Sequence, residues 1–149
     1  MENIEGKWNY QSYRPEPGCV AADPTPPRFV RWSPPGVVVI DKGGKTGKLE
    51  FTGTPIKLDL KLQVTDGSPA GLSICATMKL PKDEEFTNEL QGWFVPTKLG
   101  EDTPLVVRGS IVQTSADIAP KNPQPIFTTG YFVLERAEVG ERSKGSRLL

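Results

Sequence analysis

Three polar side chains stand where they could act on a carbonyl group: Tyr10, Arg14 and Gln113. Each can donate a hydrogen bond, and a donor aimed at a carbonyl oxygen stabilises the charge that develops there during reaction. Around them the chain offers little that is reactive. It has no histidine, and so lacks the commonest general base, the commonest metal ligand and the Ser–His and Cys–His pairings. Cys19 and Cys75 have no metal-ligand spacing, and a disulfide between them is not expected. Asp83, Glu84 and Glu85 form one acidic cluster in 81–88, read as a solvated surface with a short helical turn. Lys42-Gly43-Gly44-Lys45 is a turn rather than a phosphate loop, since the residues after it carry a strand pattern and no helix follows. Hydrolases, metalloenzymes and dinucleotide enzymes therefore lack their residues, and no metal or cofactor is expected. Cyclisation, isomerisation or cycloaddition remains, because such chemistry needs a folded substrate more than a nucleophile.

The elements that must position these groups are strands. In Pro55–Thr65, Ile56, Leu58, Leu60, Leu62 and Val64 alternate with Lys57, Asp59, Lys61 and Gln63. A period of two puts the apolar set on one face of a strand, and no helix register does so. Leu72, Ile74, Ala76, Met78 and Leu80 repeat the pattern after Thr65-Asp66-Gly67-Ser68-Pro69, whose Asp-Gly and Pro suit a tight turn. The result is a long antiparallel hairpin with one dry face, which must be covered by another sheet or by closure.

The other strand readings are Gly6–Tyr13, an interrupted strand from Arg28–Trp32 and Gly36–Asp41 broken at Pro34-Pro35, Gly47–Thr52, Leu90–Val95, Leu105–Gln113 and Ile126–Arg136. Long loops are expected at Pro15–Pro27, Pro96–Thr103 and Thr114–Pro125, all proline-bearing. With 15 Gly, 15 Pro and no ten-residue helical pattern, parallel crossovers are excluded. The fold class is all-β: a single antiparallel up-and-down barrel of about eight strands over residues 1–137, with a two-sheet sandwich as the alternative and 138–149 as a flexible tail. Eighteen basic and 18 acidic residues cancel, so nucleic acid is not an expected partner. No run reaches membrane-spanning length. Met1–Glu5 has no signal-peptide character, which leads to the expectation of a cytoplasmic protein. A homodimer stays open.

Gly6-Lys7-Trp8 at the start and Arg136 in the last strand resemble the lipocalins and their calycin relatives. That resemblance implies that Arg136 stacks on Trp8 at a closed end of the barrel. The Thr-Asp-Tyr motif and the paired disulfides of secreted lipocalins are missing. An up-and-down count then places 42–45, 65–69 and 96–103 at the Trp8 end, and 15–27, 53–55, 81–88 and 114–125 at the other. Ser12, Arg14, Phe86, Gln113 and Thr128 would stand near the second rim. Residues before Gly6 are expected to be dispensable.

The interior would be lined by Tyr10, Leu58, Leu60, Ile74, Met78, Phe94, Ile111 and Phe132, with Ala76, Gly92 and Gly109 leaving room among them. Trp32 either plugs the barrel or covers its mouth. Three functions fit: a protein that binds a hydrophobic small molecule, a cyclase or isomerase that folds one, and a partner-binding module with proline-rich contact loops.

Overall fold

The computed structural model describes residues 3–15, 29–80, 84–96, 105–118 and 122–137; for 80, 84, 105, 115–118 and 122–128 it describes the backbone alone. Nine strands and, among these residues, no helix make up the fold. They are β1 (Gly6–Pro15), β2 (Phe29–Arg31), β3 (Gly36–Ile40), β4 (Thr46–Phe51), β5 (Lys57–Thr65), β6 (Gly71–Leu80), β7 (Glu84–Pro96), β8 (Leu105–Ile118) and β9 (Asn122–Arg136). All lie in one antiparallel sheet, ordered β2-β1-β3-β4-β5-β6-β7-β8-β9, and β9 returns to β1. The seam runs from Trp8 opposite Arg136 to Tyr13 opposite Tyr131. This is a closed eight-stranded up-and-down barrel with one extra strand, and the sandwich is ruled out.

The interrupted strand is real. β3 pairs with Gly6–Tyr10 of β1 and β2 with Tyr13–Pro15, and Pro34-Pro35 occupy the gap because neither can donate to a ladder. In β5 and β6, Leu58, Leu60, Leu62, Leu72, Ile74 and Ala76 are buried as the alternation requires. Ile56 departs from it. It precedes β5 and is exposed, its carbonyl accepting from the Phe51 amide across the β4–β5 turn. The outward residues of β4 and β5 form opposed pairs, with Lys48 Nζ 2.8 Å from Asp59 Oδ1 and Lys57 Nζ 3.5 Å from Glu50 Oε1. Opposite charges directly across a ladder favour one register. The 42–45 turn uses Gly43 and Gly44 at φ of 99° and 72°, a region that favours glycine.

Two expected irregular stretches are strands instead. β7 begins at Glu84, so Glu84 and Glu85 extend the β6–β7 ladder rather than making a helical turn, while Asp83 lies outside the described residues. β8 and β9 continue to Ile118 and Asn122, which reduces the 114–125 loop to 119–121. Pro123 and Pro125 fit because β1 pairs with β9 only from Tyr131 onward, leaving the earlier part of β9 with β8 alone. Pro123 lies opposite Asp117 and Pro125 opposite Ser115, on a stretch of β9 that pairs with one strand only among those described. The long loops expected at the second rim are therefore short at 81–83 and 119–121. Residues 16–27 of the first long loop, Cys19 among them, the 97–103 part of another long loop and the 138–149 tail lie outside the described residues.

The Trp8 end is closed. Trp8 is 2% exposed and meets Phe94 edge-on, with centroids 6.4 Å apart. The Arg136 guanidinium lies 4.3 Å from the centre of the Trp8 ring, a cation–π contact. Arg136 also donates to the carbonyls of Glu5 (2.9 Å) and Asn3 (2.6 Å), and Trp8 Nε1 donates to that of Ile4 (2.9 Å). Ile4 is itself buried. These contacts contradict the expectation that residues before Gly6 are dispensable: they cap the barrel.

Gly92 and Gly109 face each other across β7 and β8. A Cβ on Gly109 would run into the backbone of Gln91 and Gly92, so this glycine permits close strand approach. One on Gly92 would lie 3.0 Å from Phe132 Cζ. Phe132 fills the space beside Gly92, and the two glycines do not open a cavity as expected.

Candidate functional site

Away from Trp8 the filling stops. A cavity of about 180 Å³ opens inside the barrel. Half of its wall is wholly apolar: Val38 from β3, Leu49 and Phe51 from β4, Leu58 and Leu60 from β5, and Ile74, Ala76 and Met78 from β6. Alternation alone brings these side chains inward, and Ala76 contributes a single methyl where its neighbours contribute more. Deeper apolar positions on the other half are Leu90, Ile111 and Leu134.

Trp32 and Phe86 add two aromatic rings, and the remaining lining is polar. Tyr10 and Ser12 come from β1, Ser33 from the β2–β3 break, Asn88 from β7 and Gln113 from β8. Ser12 Oγ and Ser33 Oγ are hydrogen-bonded at 3.0 Å, and Tyr10 is the next inward position along β1 from Ser12. The backbone around this row is fixed by Gln11, whose Nε2 donates to the Ser33 carbonyl at 3.1 Å and the Ser12 carbonyl at 3.2 Å. The Trp32 amide also donates to the Ser12 carbonyl, at 2.9 Å. Asn88 and Gln113 are direct cross-strand partners beside a register shift where Thr114 is skipped. Thr114 Oγ1 returns a hydrogen bond to the Thr87 carbonyl at 3.4 Å.

Among the described residues no acidic or basic side chain lines the cavity. Burial pushes the Tyr10 phenol up to about 12, and the neighbouring Ser12 hydroxyl offsets this only in part. The group is thus a neutral donor at any ordinary pH and not a base. Its ring stacks on Phe132 (6.4 Å, 24°) and meets Phe51 edge-on (6.1 Å, 62°), which holds the hydroxyl in place.

Of the residues expected to line a pocket, Tyr10, Leu58, Leu60, Ile74, Met78 and Ile111 do so. Phe94 and Phe132 are inward but not at the cavity; they fill the barrel against Trp8 and Tyr10. Gln113 and Tyr10 reach the cavity, whereas Arg14 does not line it. Arg14 is half-buried, and its Nε is buried with no hydrogen-bond partner. Trp32 stands at the mouth rather than plugging the barrel, with its ring over Gly130. Ser33 and Asn88 were not anticipated. Asn88 shares the parity of Leu90, a signal hidden by reading 81–88 as a turn; Ser33 sits in a break and has no periodic signal.

Outside the barrel, Cys75 is a half-buried free thiol. No cluster of three or more metal-ligating side chains exists among the described residues, and no helix there is long and apolar enough to cross a membrane. No protein-family model matches the chain, and neither a curated protein nor a solved structure matches it.

Proposed function

We propose that the barrel binds a small, largely apolar molecule in its interior, entering at the Trp32 end. The cavity carries this reading. Packed protein interiors leave few voids larger than a water molecule, yet one of about 180 Å³ sits in a barrel whose other end is filled. An apolar cavity of roughly 150 Å³ stays dry and takes up benzene, so the ligand is about one ring or a short branched chain in size. Pockets for drug-sized molecules run to roughly 300–1,000 Å³, and a polycyclic polyketide exceeds this one. The Trp8–Arg136 contact supports a calycin-like reading of the barrel.

A second reading is a cyclase or isomerase that folds such a ligand. The polar row favours it, because Tyr10 and Ser12 set donors against one side of an apolar chamber. Native mass spectrometry of the full chain purified from its own source tests both. A retained small molecule supports binding, and its mass-neutral rearrangement on incubation supports catalysis. An empty protein that also fails to take up an environment-sensitive apolar dye would sink both readings in favour of a partner-binding module.

A further inference from the structure

Resting on the binding reading above, we infer that the cavity selects a neutral ligand with one hydrogen-bond-accepting oxygen. That oxygen is held at the Tyr10–Ser12–Ser33 row, and the hydrocarbon end points toward β6. The barrel order supplies the geometry. Counting round the wall from β1 through β3, β4 and β5, the strand that faces β1 is β6. The hydroxyl row on β1 and the β2–β3 break therefore looks across the cavity at Ile74 and Ala76. The β1 side of the chamber carries the hydroxyls and the β3–β6 wall is apolar, with the Asn88 and Gln113 amides on β7 and β8 between them, which orients an amphipathic molecule across its width.

Proton counting gives the polarity of the head. Tyr10, Ser12 and Ser33 carry one hydroxyl proton each. The row contains the Ser12–Ser33 hydrogen bond, in which either hydroxyl can be the donor. At least one proton is left for an acceptor outside the row. Charge gives the rest. A carboxylate or ammonium moved into this chamber would lose its water without meeting an opposite charge, a penalty that hydroxyl donors do not offset. A ketone, aldehyde or ether oxygen has no such cost. Arg14, two residues beyond Ser12 on the same strand and so on the same face, is a cation that would argue for an anionic head instead, and the test includes it.

Three probes of nearly one shape separate these cases: ethylbenzene, acetophenone and benzoate, titrated into the full chain and followed by backbone amide shifts. The inference expects acetophenone to bind roughly five- to tenfold more tightly than ethylbenzene, the worth of one net hydrogen bond. Benzoate should be weakest. Tyr10→Phe should bring acetophenone to parity with ethylbenzene while ethylbenzene still binds, and Ser33→Ala, in the break outside the ladders, should reduce the preference in the same direction. Equal binding of ethylbenzene and acetophenone to the unmodified chain overturns the oxygen preference and leaves the pocket standing. Benzoate binding tightest, and losing that advantage in Arg14→Gln, overturns neutrality. If none of the three binds, the pocket reading fails and this inference with it.

Discussion

The two ends of the barrel are made from the same alternating strands, yet one is solid and the other hollow. At the Trp8 end, Trp8 and Phe94 meet edge-on, Phe132 fills the space between Tyr10 and Gly92, and the 3–5 segment is held to Arg136. At the Trp32 end Ala76, Ser12, Asn88 and Gln113 are set among larger side chains such as Tyr10, Phe51 and Met78, and together they leave the width unfilled. Large rings make a plug; small and polar side chains leave a chamber with a chemically distinct wall. The difference lies in side-chain volume at each height, not in the sheet. Stability should therefore reside in one end and selectivity in the other.

The largest expected effect follows from the plug. Trp8→Ala should destabilise the barrel by roughly 3–5 kcal/mol, the range for removing a large buried ring, measured by denaturant unfolding. Trp32→Ala, at the partly buried mouth, should cost less, about 1–2 kcal/mol. A Trp8 loss below that of Trp32 would reverse the assignment of the two ends. Next comes removal of residues 1–5. It strips away buried Ile4 and the carbonyls that receive Trp8 Nε1 and Arg136. The expected loss is about 2–4 kcal/mol, from apolar exposure plus a buried indole N–H without an acceptor. An unchanged unfolding midpoint would show that the cap is ornamental.

How far these ends were legible in the sequence depended on which coordinate was being read. Alternation gives the face on which a side chain lies, and it placed Leu58, Leu60, Ile74 and Ile111 inward without error. Height along the barrel is another matter. It depends on strand tilt and stagger, which no single strand encodes. Phe94 and Phe132 thus have the expected face but lie in the filled half. Local composition misled in two places. Acidic residues at 83–85 and prolines at 123 and 125 suggested irregular structure where β7 and β9 run on. Neighbouring strands outweighed local preference there, because an open edge tolerates proline and the ladder of β6 continues through Glu84. Ser33 was invisible, since nothing periodic marks a residue in a strand break.

A titration sharpens the comparison from the polar wall. Below pH 10 the Tyr10 phenol is neutral in folded and unfolded chains alike, and burial of the neutral group carries no pH dependence. Between 10 and about 12 the unfolded chain ionises and the folded barrel does not. The unfolded state then binds fewer protons, and stability should fall by roughly 1.4 kcal/mol per pH unit from this group. Above about 12 the contribution levels off. Tyr10→Phe should remove that slope, read as the difference between the two unfolding curves over this window. The phenolate absorbance that Tyr10→Phe removes should appear late, near pH 12. If that absorbance appears near pH 10 instead, Tyr10 is solvated and the chamber is not dry.

The smallest stability change carries the clearest contrast, because the same kind of substitution should act in opposite ways at the two ends. Ala76→Leu adds three carbons at a position facing the cavity. With room to accept them, stability should move by less than about 1 kcal/mol, while uptake of an apolar dye or of ethylbenzene is lost. Gly92→Ala adds a single carbon at the filled end, where the new Cβ would stand 2.7 Å from Val107 Cγ1 and 3.0 Å from Phe132 Cζ. Neither neighbour has space to retreat, so roughly 1–3 kcal/mol should be lost with dye uptake intact. One carbon costing more than three means that empty volume, and not residue type, separates the ends. If Ala76→Leu is the more damaging change, the chamber is already occupied by protein and the hollow end does not exist.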